Sequence, residues 1–514
     1  MSTIPAIDPV SGRTFAESPV TSLTDLPALV DRARRAQSVW SRRPLADRLR
    51  VVRRFQRRLF DRRQELAALV ARENGKPAAE SILTEVAVTL DLARYYLRTA
   101  RTILRPTRIR FGNPAFLGRR GRVYWEPVGV VGVISPWNYP LMLPFGEILP
   151  ALLAGNAVLF KPSEFTLQTG RAGAELLWES GLDPDLCQLI VGAGEAGAAL
   201  IGAGLDKIFF TGSVATGRKV AVAAAERLLP VNLELGGSDP CIVLADADLD
   251  RAASGVVWAR FTNAGQTCVA AKRVVVERAV AQRFVDLLVA KAEALRLGTG
   301  PDVDMGPLIR PAQVNELERQ IAASVDRGAR VVTGGHRRPD LGATFFAPTI
   351  LVDVPVDSPL WREEVFGPAL PVVAVADQEE AVRIANASAY GLSASIWTGD
   401  RRRGERLARR LVAGAIMVND AASHVGAAEV PHGGVRESGI GRTHGAHGLL
   451  EMCVPRFVGS DLFDRMRKPW WFGYTAESAA NRDAFLRFAF APSFWQRLRA
   501  APRALGLLIN RRPI

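Results

Sequence analysis

Apolar residues recur at helical spacing among Leu, Ala, Arg and Glu from Ala28 to Ala100, which predicts a run of helices. From Thr107 to Glu126 the pattern changes to alternation, carried by Arg108, Arg110, Gly121, Val123 and Trp125, and predicts a pair of strands. Short β-branched or apolar runs then follow at Val128–Ile134, Ala157–Phe160, Gln188–Val191 and Lys207–Phe210. Between them lie amphipathic stretches at Glu147–Leu153, Leu167–Ser180 and Ala196–Ala203. Strands alternating with helices of that length predict parallel βαβ units in a sheet covered on both faces. A second series runs from Cys241 through Ala376, with strands near Val274–Val276, Arg330–Val332 and Leu370–Val375. The fold class is therefore α/β, with two such domains in succession.

Val128–Gly146 is free of charge and nearly long enough to cross a bilayer, but Pro136, Pro140, Pro144 and Asn138 interrupt it. It reads as a buried strand, a loop and the start of a helix. Met1–Pro9 lacks a basic start followed by an apolar stretch, so a secretory signal is not expected and a cytoplasmic protein is. The 514 residues contain four scattered cysteines, Cys187, Cys241, Cys268 and Cys453, without metal-ligand spacing, and no HExxH arrangement of histidines. Neither a disulfide framework nor a metal site is expected. The net charge of +14 raises the question of nucleic acid. From Arg465 onward, however, ten Arg and Lys face only Glu477 and Asp483, so this tail holds +8 of the total and the body is near balance. No nucleic-acid motif accompanies it, and no nucleic-acid partner is expected.

Two glycine-rich segments compete as phosphate cradles. Gly192–Gly197 matches GxGxxG after an apolar run, and Gly212-Ser213 ends another strand where a helix opens. Pattern alone does not choose between them. Cys268 closes the polar stretch Phe261–Thr267, a loop rather than a core strand, and so is a candidate nucleophile as well as a small buried hydrophobe. Such surroundings are what a thiol needs to ionise at neutral pH. Glu234 lies within the apolar run Val231–Leu235, where burial should raise its pKa. It reads equally as half of a structural ion pair and as a general base.

Seven motifs occur in order along the chain. They are Ser135-Pro-Trp-Asn138, Lys161-Pro-Ser-Glu164, Phe210-Thr-Gly-Ser213, Glu234-Leu-Gly-Gly237, Gly265-Gln-Thr-Cys268, Glu363-Glu-Val-Phe-Gly-Pro368 and Pro431-His-Gly-Gly-Val-Arg-Glu-Ser-Gly439. Together they resemble the aldehyde dehydrogenase superfamily from about residue 5 to about residue 460, and most nearly an actinobacterial subgroup often labelled succinate-semialdehyde enzymes. The resemblance implies a Rossmann-like cofactor domain (1–106 and 127–235), an α/β catalytic domain (236–430), a small β oligomerisation arm (107–126 and 450–460) and a basic aromatic tail (465–514). It implies Cys268 as nucleophile, Asn138 with the Cys268 backbone N–H as oxyanion donors, and Glu234 as the base that activates water. It also implies cofactor contacts at Ser135, Pro136, Trp137, Lys161, Pro162, Ser163, Glu164, Gly212, Ser213, Leu235, Glu364 and Phe366, with Gly192–Gly197 as a decoy near the adenine.

The expected cofactor is NAD, with NADP also admitted, because Glu164 should accept from a ribose hydroxyl and repel a 2′-phosphate. Leu141–Gly146, which follows the Trp-Asn motif, has no basic residue, so an apolar aliphatic or aromatic aldehyde is expected ahead of succinate semialdehyde. A CoA-acylating relative is disfavoured by the presence of Glu234. A non-catalytic lipid-binding protein on this fold is disfavoured by the intact Cys268, Glu234 and Asn138. A homodimer or homotetramer is implied. The tail interleaves Trp470, Trp471, Phe472, Tyr474, Phe485, Phe488, Phe490, Phe494 and Trp495 with Arg482, Arg487, Arg497, Arg499 and Arg503. It reads either as an arm packed on a neighbouring subunit or as a peripheral contact with the inner membrane face.

Overall fold

The computed structural model describes residues 2–116, 118–463, 468, 470–472 and 474–509. Two compact units emerge, one formed by Met1–Ile103 and Pro127–Cys453, the other by Leu104–Glu126 and Val454–Ile514.

The first unit contains two sheets and an N-terminal hairpin, Thr3–Ile7 with Thr14–Pro19, that the sequence pattern did not announce. Helices Leu26–Trp40, Leu45–Asp61, Arg63–Asn74 and Val88–Ile103 follow, as their periodicity predicts. The six-stranded sheet has the order Gly439–Ile440, Val231–Glu234, Lys207–Thr211, Val130–Ile134, Ala157–Lys161, Cys187–Leu189. All neighbours are parallel except the two-residue edge strand, which pairs antiparallel with Glu234 and Leu233. From Val130–Ile134 the chain winds outward through Ala157–Lys161. It later returns on the other side at Lys207–Thr211. The strand order reverses between those two strands, and ligands of open α/β sheets bind in the crevice at such a point.

The seven-stranded sheet has the order Arg330–Thr333, Thr349–Val352, Ala369–Val375, Ala271–Glu277, Asp239–Val243, Ser393–Trp397, Ala415–Val418. Its central strands Ala271–Glu277 and Asp239–Val243 are wholly buried, which explains the apolar runs Val274–Val276 and Cys241–Val243 at their centres and ends. Arg330–Thr333 departs from the parallel expectation and runs antiparallel at the edge, where solvent reaches its residues.

In the second unit, Thr107–Ile109 pairs antiparallel with Arg119–Pro127, and Cys453–Asp461 completes a three-stranded sheet. Helices Ala476–Phe490 and Phe494–Ile509 form a hairpin, the first opened by a Thr475/Ser478 capping box. Of the predicted tail, residues 465–467, 469, 473 and 510–514 lie outside the described residues. No helix among the described residues is long and apolar enough to cross a membrane.

Candidate active site

The strand ends at the crevice deliver the motif residues to one cleft of about 910 Å³. Ser135, Pro136, Trp137 and Asn138 follow Val130–Ile134, Lys161 ends its strand, and Gly212 and Ser213 follow Lys207–Thr211. Leu235 follows Val231–Glu234, and Ser163, Glu164, Cys268, Glu364 and Phe366 complete the set on the cleft wall. Pro162 is the exception. It turns away from the cleft to pack beneath Gly170 of the next helix, leaving no room for a side chain there, so its part is to shape the turn.

Of the two glycine-rich segments, both reach the cleft: Gly194 and Gly197 line it beside Gly212 and Ser213. Ser213 caps helix Val214–Ala225, its Oγ accepting from Thr216 N at 3.3 Å, so the free N–H groups of the first turn face a position suited to a pyrophosphate. Lys161 is buried, its Nζ 3.6 Å from Glu164 and donating to Pro162 O at 3.1 Å. Glu364 accepts from Lys272 Nζ at 2.6 Å and from Gly237 N at 3.2 Å. A Cβ at Gly236 would lie 1.9 Å from the Glu364 carboxylate, so this backbone must be glycine for Glu364 to stand where it does. The Phe366 ring meets Trp137 edge-on, centroids 5.4 Å apart. A helix N-terminus, a buried lysine paired with a half-buried glutamate and a glycine-lined wall at the topological crossover fit a dinucleotide.

Cys268 follows a strained loop. Asn263, Ala264 and Gly265 all have left-handed φ, of 51°, 53° and 76°, and a Cβ at Gly265 would lie 2.4 Å from Gly367 O. The polar side chains of this loop turn inward to satisfy its backbone. Asn263 Nδ2 donates to Asn138 O at 2.9 Å, Gln266 Nε2 to Asn263 O at 3.0 Å, and Ile309 N to Gln266 Oε1 at 3.0 Å. Thr267 shares a 2.7 Å hydrogen bond with Tyr139 OH. Cys268 itself is half-buried in the cleft wall, and the expectation of a readily ionised thiol is corrected. Burial pushes the Cys268 thiol up to about 12, opposed by Lys272, with Glu364, Asp239 and Glu234 adding to the rise. The polarity that suggested a thiolate serves the loop's own hydrogen bonds instead.

Asn138 is held from behind. Its carbonyl accepts from Lys76 Nζ at 2.8 Å, and Lys76 pairs at 2.8 Å with Glu85, both side chains wholly buried. Glu85 in turn accepts from Leu141 N and Met142 N at 3.1 and 2.8 Å. Asn138 Nδ2 donates to Gln266 O at 3.1 Å, which leaves its second N–H for another acceptor. Sequence reasoning missed Lys76, Glu85, Tyr139 and Lys272, which lie outside the recognisable motifs or carry no local peculiarity. Lys76 follows Gly75 at a helix end, and nothing nearby in sequence marks its partner nine residues on.

Glu234 is buried, and neither carboxylate oxygen finds a hydrogen-bond partner. Burial pushes its pKa well above the usual carboxylate range, aided by Glu147 and opposed by Arg442. The ion-pair reading thus fails, because the nearest partner, His432 Nε2, stands 3.9 Å away and burial holds it neutral. Among the described residues no group of His, Cys, Asp or Glu is arranged to hold a metal.

This architecture is that of a dinucleotide-dependent enzyme with a cysteine in its cleft. Residues 1–458 match the model of the aldehyde dehydrogenase family, and the chain belongs to that family. It is 38% identical over 509 residues to a 4,4′-diapolycopene aldehyde oxidase of Methylomonas sp, covering 98% of this chain and 95% of that one. It is 40% identical over 454 residues to a putative NADP(+) succinate-semialdehyde dehydrogenase of Mycolicibacterium smegmatis, covering 88% and 87%. Among solved structures, lactaldehyde dehydrogenase from Escherichia coli superposes with a TM-score of 0.86 at 35% identity, covering 90% of this chain and 96% of that one. Betaine aldehyde dehydrogenase from Staphylococcus aureus gives 0.87 at 30% identity, covering 92% and 96%. The chain is accordingly an NAD(P)-dependent oxidoreductase that converts an aldehyde to a carboxylic acid.

Proposed function

We propose that the substrate is an apolar aldehyde, aliphatic or aromatic, oxidised through thiohemiacetal and thioester intermediates on Cys268. The half-buried Cys268 thiol gives its proton to solvent in the cleft as Sγ attacks the carbonyl carbon, and the free N–H of Asn138 with the backbone N–H of Cys268 receives the developing oxyanion. NAD(P), when bound, supplies the hydride acceptor. Glu234 then takes a proton from water, whose oxygen adds to the thioester carbon as the C–S bond breaks. Lys161, Glu164, Gly212, Ser213, Glu364 and Phe366 hold the dinucleotide, and Glu164 favours NAD over NADP.

The observation that carries the reading is the convergence of Cys268, Asn138 and Glu234 on one cleft, whose lining cations are each placed by another element. Those cations are Lys161 beside Glu164, Arg310 over Phe165, and Lys219 on the helix that Ser213 opens. Leu143 is what Leu141–Gly146 contributes to the wall, so a distal carboxylate would be desolvated without a partner. The relative named for 4,4′-diapolycopene aldehyde supports the same reading. NADH formation across succinate semialdehyde, decanal and benzaldehyde, with Cys268→Ala alongside, tests this. Turnover of the apolar aldehydes that the substitution abolishes is expected, whereas activity on succinate semialdehyde alone would overturn the substrate class.

The three-stranded sheet of Thr107–Ile109, Arg119–Pro127 and Cys453–Asp461 is the surface we assign to subunit assembly. The tail we assign to an anionic membrane surface. Among the described residues, Trp470, Trp471, Phe472, Tyr474, Phe490, Phe494 and Trp495 are all exposed, and the tail holds +8 of the chain's charge. The match to the diapolycopene enzyme extends over the tail, since it covers 98% of the chain. Co-sedimentation with phosphatidylglycerol vesicles should be lost on truncation at Asp464, and binding that survives truncation would refute the assignment.

A further inference from the structure

Three buried imidazoles stand behind Glu234. His432 lies between His424 and His444, each ring centroid 5.9 Å from that of His432, and Nδ1 of all three lacks a hydrogen-bond partner. Such a cluster costs free energy unless its nitrogens are used. His432 Nε2 is 3.9 Å from Glu234 Oε2, a gap that one water or a ring rotation closes.

Oxidation of an aldehyde to a carboxylate releases two protons per turnover, those of the water consumed. The other ionisable groups around Glu234 are poor exits. Glu147 is buried and raised to about 8, with Thr211 as its hydrogen-bond partner. Arg442 is a fixed cation whose guanidinium donates to Gly434 O and Gly441 O, and Glu451 is paired with Lys207. His424, by contrast, has both ring nitrogens without a hydrogen-bond partner and feels the charge of half-buried Asp420, four residues back, whose carboxylate accepts from Ala421 N and Ser423 Oγ.

Resting on the catalytic role of Glu234 given above, we propose that His432 and His424 carry the proton from Glu234 out to Asp420, with His444 fixing the orientation of His432. Water's O–H proton passes to Glu234, from Glu234 to His432, and onward as each neutral imidazole accepts at one nitrogen and donates from the other. Burial keeps the imidazoles neutral, as such a relay requires.

The test uses His424→Gln and His424→Asn, remote from the reacting atoms, with His432→Gln, in rapid-mixing assays with decanal and NAD. Each variant should keep a burst near one NADH per site, which also reports folded enzyme, while steady-state kcat falls tenfold or more. Rising imidazole buffer should restore kcat, a response that a merely structural role does not give. Unchanged kcat in the His424 variants, or a fall that no buffer base restores, would overturn the relay. Absence of Cys268-dependent NADH formation in the unsubstituted enzyme would instead overturn the parent mechanism.

Discussion

Replacing Lys76 by methionine should cost both stability and rate, for separable reasons. The Lys76 ammonium is fully enclosed, donates to Glu85 and Asn138 O at 2.8 Å each, and sits 4.0 Å from the Tyr139 ring centroid. Removing it leaves the Glu85 carboxylate buried with only the Leu141 and Met142 N–H groups as partners. An uncompensated buried charge of this kind costs about 3–5 kcal/mol. The double substitution Lys76→Met, Glu85→Gln removes both charges while the amide oxygen still accepts from Leu141 N and Met142 N, and should recover most of that loss. Activity should not recover with it. Asn138 O keeps the Asn263 bond but loses the ammonium, and a displacement of about 1 Å in a positioning group lowers rate roughly 100-fold. Urea denaturation followed by Trp fluorescence, with kcat/KM for decanal, separates the two effects. A single variant within 1 kcal/mol of the parent, or a double variant with full kcat/KM, would refute the reasoning.

Cys268, whose thiol is pushed up by burial, should be alkylated by iodoacetamide more slowly at pH 7 than an unperturbed thiol, its rate still climbing above about pH 9; rapid alkylation levelling off near pH 8 would contradict the shift. Gly236→Ala should displace the Glu364 carboxylate and raise KM for NAD about tenfold, with KM for aldehyde little changed in initial-rate measurements. Glu164→Gln should raise the NADP-to-NAD ratio of kcat/KM by about tenfold by removing a charge that repels a 2′-phosphate; an unchanged ratio would place the discrimination elsewhere.

Much of this molecule was legible in its sequence, because its signals are local. The buried strands Val130–Ile134 and Ala157–Lys161 are continuous apolar runs, and the motif residues that follow them sit at strand ends where the crevice must form. What stayed hidden depends on distant contacts. Gly439–Ile440 is a strand only because Leu233 and Glu234 offer an edge. The π-helical turn Ile82–Ala87, which carries Glu85, reads like any helix, and the Lys76–Glu85 pair becomes visible only when the Leu141–Met142 backbone closes over it. The Cys268 loop misled for a related reason: its polar residues suggested solvent, whereas they serve its own left-handed backbone. The three histidines, spread from His424 to His444, have no ligand spacing and meet only in the fold.

The central claim is that an acyl group is carried on Cys268. The direct measurement is intact-mass analysis of the Glu234→Gln variant quenched in acid after mixing with decanal and NAD, followed by peptide mapping. A mass gain equal to one decanoyl group, confined to the peptide containing Cys268 and absent from Cys268→Ala, is predicted. NADH formation without any adduct on Cys268, or an adduct on another residue, would contradict it.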